Sequence, residues 1–276
     1  MSGAAHFADR LAAAVEQKGA PLCVGLDPDP ALMPAGVGLG EFCRGIVDAV
    51  AEHAVAVKPQ SAFFEAHGAT GWAALADVCG YARGAGLLVI ADAKRGDVPT
   101  TARAYVAALA PLADAVTVNP YLGRDSLEPF LKRDGLGVFA LVKTSNPGSA
   151  DVQDLPLEDG RPLWQHVAAL VDRWGADFVG ASGLSSVGAV VGATHPEVLE
   201  TARSLLPRAV LLLPGVGAQG GRPDDLGPAF TAGPAGALVS ASRSVIYADV
   251  GAGWQAAAAA EAARLADELR AVAVVG

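Results

Sequence analysis

The chain has 276 residues, 52% of them apolar and only 6% aromatic, so its core is large and built mainly of Ala, Val and Leu. One α/β domain spanning 1–276 fits that length, since an α/β barrel takes about 250 residues. The net charge of −9 argues against a nucleic-acid or anionic-membrane partner, each of which selects a basic face; a phosphorylated small molecule needs only a few local donors and stays open.

Residues 1–10 carry no basic start with an apolar run behind it, so no signal peptide is expected. Residues 5–18 have the spacing of an amphipathic helix. Short apolar runs then alternate with helical patterns to the end of the chain. The runs lie at 22–27, 54–59, 87–94, 115–119, 137–144, 177–181, 209–214 and 236–240. They are rich in Val, Leu and Ala and mostly do not alternate with polar residues, which is how strands buried on both faces of a parallel sheet read. Helical periodicity marks 42–53, 72–83, 101–112, 163–174, 196–205 and 253–272, and residues 146–162 form the one long polar loop. The last helix holds an alanine run at 256–260, but Glu261, Arg264, Asp267, Glu268 and Arg270 follow it, which makes it amphipathic and no membrane span. Eight strand–helix units in succession predict a (β/α)8 TIM barrel whose extra N-terminal helix covers the bottom. The rival, an open doubly wound sheet, calls for a strand–GxGxxG–helix unit that is missing near the start.

A barrel does its chemistry at the C-terminal ends of its strands, and here those ends are charged. The first run ends in Asp27, the second in Lys58 and the third in Asp92 and Lys94. Side chains two apart on a strand share a face, so Asp92 and Lys94 point together while Ala93 points away. Asp97 follows in the loop, within reach of the same place or of a neighbouring subunit. An alternating set of Lys and Asp satisfies each charge with its opposite and tunes pKa values. The seventh run leads into a glycine-rich stretch from Pro214 and Gly215 through Gln219 to Gly221, and the eighth into Ser242 and Arg243. Loops after strands seven and eight are the usual phosphate site of this architecture. Glycines let backbone N–H groups approach an anion, and an arginine grips two phosphate oxygens in a fork.

Other polar residues carry no such pattern. Cys23, Cys43 and Cys79 lack metal-ligand spacing and read as reduced, buried thiols of a cytosolic protein. His53, His67, His166 and His195 do not pair as metal ligands, and His53 sits at a helix end, where it offsets the dipole. Trp72, Trp164 and Trp174 occupy helical positions and read as packing. Ser182 to Ser186 has the look of a nucleophile loop, but no Asp and His partners accompany it.

The stretch Ala91-Asp92-Ala93-Lys94-Arg95-Gly96-Asp97 resembles the Asp-x-Lys-x-x-Asp motif of the orotidine 5'-monophosphate decarboxylase family, and the match extends over most of the chain in the manner of its longer bacterial subgroup. The resemblance implies that Asp27 contacts the ribose, that Lys58 belongs to the charge network and that Thr101, four residues past Asp97, contacts the nucleotide. It likewise implies that Asn119 ends strand four at the site, that Ser145 reads the pyrimidine, and that Pro214, Gly215, Val216, Gly217 and Gln219 with Ser242 and Arg243 hold the phosphate. Many family members carry a Tyr just after the loop Gln, whereas Gly221 stands two residues past Gln219 here. The implied activity is decarboxylation of orotidine 5'-monophosphate to UMP and CO2 without metal or organic cofactor. Lys94 is the implied proton donor, and the implied assembly is a homodimer in which Asp97 and Thr101 serve the partner's site. The alternatives are a Mg2+-dependent sibling barrel that decarboxylates or condenses sugar phosphates, and a non-catalytic nucleotide-binding barrel. Lys58 opposes the first, because it puts a cation where a Mg2+ site needs carboxylates; the intact charge set opposes the second.

Overall fold

The computed structural model describes residues 5–193, 196–216 and 221–275. Eight parallel strands close into a barrel in chain order: β1 (Leu22–Leu26), β2 (Ala56–Pro59), β3 (Leu88–Arg95), β4 (Ala115–Val118), β5 (Gly137–Lys143), β6 (Ser185–Val191), β7 (Ala209–Pro214) and β8 (Ala237–Ala241). Closure is made by β8 pairing back onto β1, with Leu22 opposite Val239. Around them lie α1 (Phe7–Lys18), α2 (Leu39–Val50), α3 (Ser61–Glu65), α4 (Gly68–Gly84), α5 (Pro99–Leu109), α6 (Arg124–Leu131), α7 (Ala150–Gln153), α8 (Leu163–Gly175), α9 (Pro196–Leu205), α10 (Arg243–Ile246) and α11 (Trp254–Val275). No helix among the described residues is long and apolar enough to cross a membrane.

The alternation of side chains along each strand sorts them into two cores. Cys23, Ala56, Ile90, Ala115, Phe139, Val190, Leu212 and Leu238 point into the barrel. Their neighbours Val24, Val57, Ala91, Val116, Ala140, Val191, Leu211 and Val239 point outward to the helices. The inner cluster is capped from below by Phe7, Leu11 and Val15 of α1, as expected for the extra helix. Phe7 meets Phe139 edge to face at 5.9 Å. Gly137 makes that approach possible, since a Cβ there would lie 2.3 Å from the Phe7 ring.

The sixth strand corrects the sequence reading. A 3-10 turn at Ala176–Phe178 takes the start of the expected run, and β6 begins only at Ser185, beyond its end. The true strand opens with two serines and contains Gly188, so its apolar signal is diluted. Ser185 donates to the Gly175 carbonyl at 2.9 Å, which satisfies its burial. Gly188 leaves room for Phe139, whose ring would lie 2.7 Å from an added Cβ. Of the stretch from Ser182 to Ser186, Ser182 lies in the turn before β6 and Ser185 and Ser186 open the strand, at the end of the barrel opposite its mouth. Within the polar stretch 146–162 the chain forms a 3-10 turn (Pro147–Ser149), the short helix α7 and a bridge between Pro156 and Pro162.

Candidate active site

Inward positions recur every second residue, so each strand carries its inner face upward into the mouth. Continuing from Ala56, β2 brings Lys58, with Gln60 just past its end; continuing from Ile90, β3 brings Asp92 and Lys94; continuing from Ala115, β4 brings Thr117. These side chains meet on the Asp92 carboxylate. Lys58 Nζ donates to Oδ2 at 2.7 Å and Lys94 Nζ to Oδ1 at 2.6 Å. Gln60 Nε2 donates to Oδ2 at 3.1 Å, and the Thr117 hydroxyl to Oδ1 at 2.8 Å. Lys58 and Asp92 have side chains only 8% and 7% exposed, whereas Lys94 is 42% exposed and is the cation that faces the open mouth.

The backbone at Lys94 is unusual. Its φ of +47° is the one positive value outside glycine among the described residues. A lysine in that region costs about 1–3 kcal/mol, and such strain gathers at functional sites. The β3–β4 ladder is irregular between Ala91 and Arg95, and the Lys94 N–H donates instead to Thr117 Oγ1 at 2.9 Å.

Burial raises the carboxyl of Asp92, but Lys58 and Lys94 outweigh it and hold the group well below the usual carboxylate range. Burial lowers the amine of Lys58, but Asp92 and Asp27 outweigh it and hold the group above the usual lysine range. The depressed Asp92 contributes stability that is fully present above the ordinary Asp value of about 3.9 and is lost as pH falls through the folded value. Raised, Lys58 contributes stability that is present below about 10.4 and is lost only as pH rises through its folded value. Melting of the protein and of an Asp92→Asn variant from pH 3 to 8 is therefore expected to show a constant gap above about pH 5 that narrows below about pH 4. An equal gap at pH 3 and pH 7 would contradict this account.

The other expected site residues take varied positions. Asp27, just past β1, accepts from the Ser242 hydroxyl at 2.7 Å, so Ser242 is tied to Asp27. Its second oxygen, Oδ1, is buried without a partner among the described residues. The Tyr247 hydroxyl, which the sequence reading missed, donates to the Asp27 carbonyl and accepts from the Asp29 N–H. Gly25 is required here, because a Cβ would lie 2.7 Å from that of Ser242. Ser145 follows β5 and packs against Gly192, where a Cβ would lie 3.0 Å from its own. Pro214 ends β7, and Gly215 has a φ of +105° that favours glycine; its carbonyl accepts the Gly221 N–H at 3.2 Å, closing the neck of the expected phosphate loop. Gly217 and Gln219 lie outside the described residues, as does His195. The exposed Arg243 makes no side-chain hydrogen bond or ion pair with the described residues. Asn119 is exposed and caps the turn that follows β4, accepting from the Tyr121 N–H at 3.1 Å.

Asp97 and Thr101 do not join the Asp92 cluster of their own chain. The Asp97 carboxylate accepts the Val98 N–H at 2.7 Å, and Thr101 lies in the first turn of α5. Thr117 and Gln60 are the network members that sequence reasoning overlooked; Thr117 stands on the inner face of β4, two residues past Ala115, and Gln60 lies just beyond β2, two residues past Lys58, bridged to Asp92. Among the described residues no three His, Cys, Asp or Glu side chains converge as metal ligands would.

A closed parallel barrel that concentrates opposed buried charges at the carboxyl ends of its strands is the framework of a barrel enzyme. The family model described as Orotidine 5'-phosphate decarboxylase / HUMPS family matches residues 20–261. Orotidine 5'-phosphate decarboxylase of Haloarcula marismortui is 47% identical over 252 residues, covering 88% of this chain and 87% of the relative. That of Roseiflexus castenholzii is 46% identical over 278 residues, covering 96% and 98%. The solved OMP decarboxylase of Leishmania donovani superposes with a TM-score of 0.83 at 36% identity, covering 98% of this chain and 99% of that one. The chain belongs to the orotidine 5'-phosphate decarboxylase / HUMPS family.

Proposed function

We infer that this protein decarboxylates orotidine 5'-monophosphate to UMP and CO2, the last step of making UMP, and that Lys94 supplies the proton. The observation that carries the inference is the Lys58–Asp92–Lys94 network, in which only Lys94 is exposed to the mouth. Loss of CO2 leaves negative charge on C6 of the pyrimidine. The Lys94 ammonium stabilises that charge as it develops and then transfers a proton to C6. The C6–carboxylate bond breaks, its electron pair takes the proton, and neutral Lys94 regains a proton from solvent. Asp92 stands beside the departing carboxylate and disfavours the bound ground state by like-charge repulsion. Lys58 keeps Asp92 ionised and in place.

The remaining residues are assigned by the same reading. Asp27 Oδ1, a buried acceptor without a partner among the described residues, suits a ribose hydroxyl. Ser145 and Asn119 line the base side. Pro214, Gly215 and Gln219 with Ser242 and Arg243 form the phosphate end, far from C6, so that phosphate binding energy is used at the reacting carbon. Asp97 and Thr101 serve the mouth of a second copy in a homodimer. Exposed Val98, Tyr121 and Leu122 flank the strand ends there and supply the apolar surface such a contact needs. The three cysteines are free and buried, and burial pushes Cys23 and Cys79 up to about 12, which suits a reducing, cytoplasmic setting.

The direct test is UMP formation from orotidine 5'-monophosphate by protein dialysed against excess chelator. Full activity is expected. Activity that disappears with chelator and returns with Mg2+ would instead favour the sugar-phosphate branch. The phosphate end has its own test. Arg243→Ala is expected to raise KM for the phosphorylated substrate roughly 10- to 100-fold, the worth of a charge-assisted bond of about 1.5–3 kcal/mol. Slow turnover of unphosphorylated orotidine should hardly change; equal damage to both substrates would make Arg243 structural.

A further inference from the structure

Four donors converge on one carboxylate: Lys58 and Gln60 on Asp92 Oδ2, Lys94 and Thr117 on Oδ1. An ionised carboxylate offers about four lone-pair sites, so Asp92 is saturated. Thr117 differs from the other donors. It is the one hydroxyl among them, is 1% exposed, and stands on β4, on the other side of β3 from Lys58 and Gln60. Its oxygen also accepts the Lys94 backbone N–H at 2.9 Å. The polarity of both bonds is fixed, because a carboxylate only accepts and an N–H only donates. One hydroxyl therefore joins the carboxylate of residue 92 to the backbone of residue 94.

That backbone needs an anchor. The β3–β4 pairing skips from Ala91 to Arg95, so Lys94 loses the ladder partner a regular strand would give it. At φ +47° it also holds a conformation that lysine rarely adopts. A buried hydroxyl takes the ladder's place and accepts the Lys94 N–H at 2.9 Å.

We propose that Thr117 is a positioning residue for proton delivery: its hydroxyl locks the left-handed turn at Lys94 to the Asp92 carboxylate and so aims the Lys94 ammonium into the mouth. The proposal rests on Lys94 as the proton donor. When Lys94 gives up its proton, its attraction to Asp92 Oδ1 falls away. Thr117 on the same oxygen, with Lys58 and Gln60 on the other, keeps Asp92 from following, and the anchored backbone returns the lysine to the same place.

The test compares Thr117→Val, which keeps the shape and loses the hydroxyl, with Thr117→Ser, which keeps the hydroxyl and loses the methyl. A displacement of about 1 Å at a reacting group costs on the order of 100-fold. Thr117→Val is expected to lose about that much in kcat, with KM for orotidine 5'-monophosphate within about threefold, since no phosphate contact is touched. Thr117→Ser should retain kcat within about fivefold. A purely packing role reverses that order, because Ser leaves a cavity and Val does not. Wild-type kcat in Thr117→Val, or a Ser variant as impaired as Val, overturns the proposal. Should Thr117→Val not fold, Thr117→Ala takes its place against Ser. Lys94→Ala is assayed beside them. If it still turns over, the proton-donor reading falls and the Thr117 role with it; if it is inactive while Thr117→Val is unimpaired, only the Thr117 role falls.

Discussion

Replacing Lys94 by alanine is expected to abolish UMP formation while leaving the barrel folded. Proton delivery by a placed side chain contributes about 10²–10⁴-fold, and electrostatic stabilisation of developing charge a further 10²–10³-fold or so. In the proposed mechanism Lys94 supplies both, so the loss should be at least about 10⁴-fold. The fold loses little. Asp92 keeps Lys58 at 2.7 Å, so no buried charge is left uncompensated. The Lys94 side chain is 42% exposed, which removes most of its ion pair from the stability balance. Alanine at φ +47° carries a strain like that of lysine, so the backbone gains no new penalty. The measurement is UMP formation beside a thermal melt. A folded Lys94→Ala protein with near-normal turnover would remove Lys94 from its role.

Mixing two inactive variants is expected to restore activity. Asp97 lies beyond β3 on the loop into α5, accepts the Val98 N–H, and makes no hydrogen bond or ion pair with Lys58, Asp92 or Lys94 of its own chain among the described residues. It stands beside exposed Val98, with exposed Tyr121 and Leu122 after the next strand. In the proposed twofold dimer these loops would enter a partner's mouth, and symmetry would make two identical composite sites. Lys94→Ala and Asp97→Ala should each be nearly inactive alone. In a hybrid dimer one site takes both lesions and the other takes neither. Random equal mixing makes about half the dimers hybrid, each with one good site in two, so activity should return to roughly a quarter of wild type. If Asp97 acts within its own chain, every site carries one lesion. No recovery, with subunit exchange shown independently, would then rule out the shared site.

The barrel was legible in the chain because strands buried on both faces are near-continuous apolar runs, and the seventh, 209–214, coincides with β7. The sixth was misplaced for the converse reason. At Ser185, Ser186 and Gly188 the strand trades apolar mass for hydrogen bonds and for room beside Phe139. The charges of the mouth were legible too. Period-two spacing alone puts Asp92 and Lys94 on one face, and each charge falls where an apolar run ends.

What the linear chain could not decide is which of those groups meet. Lys58 and Asp92 are 34 residues apart, Thr117 and Asp92 25, and Ser242 and Asp27 215. A threonine or glutamine near a strand end is ordinary in any sheet. Thr117 and Gln60 gain meaning only because closure of the barrel turns β2, β3 and β4 onto one carboxylate. The left-handed turn at Lys94 is likewise invisible in the sequence, because lysine has no preference for it; a break in pairing between two particular strands imposes it. Residue type and spacing determined the barrel and the charges at its rim. Strand register and closure decided which charge is buried, which is exposed, and which neutral side chain holds them, because those outcomes depend on contacts between segments that are distant in the chain.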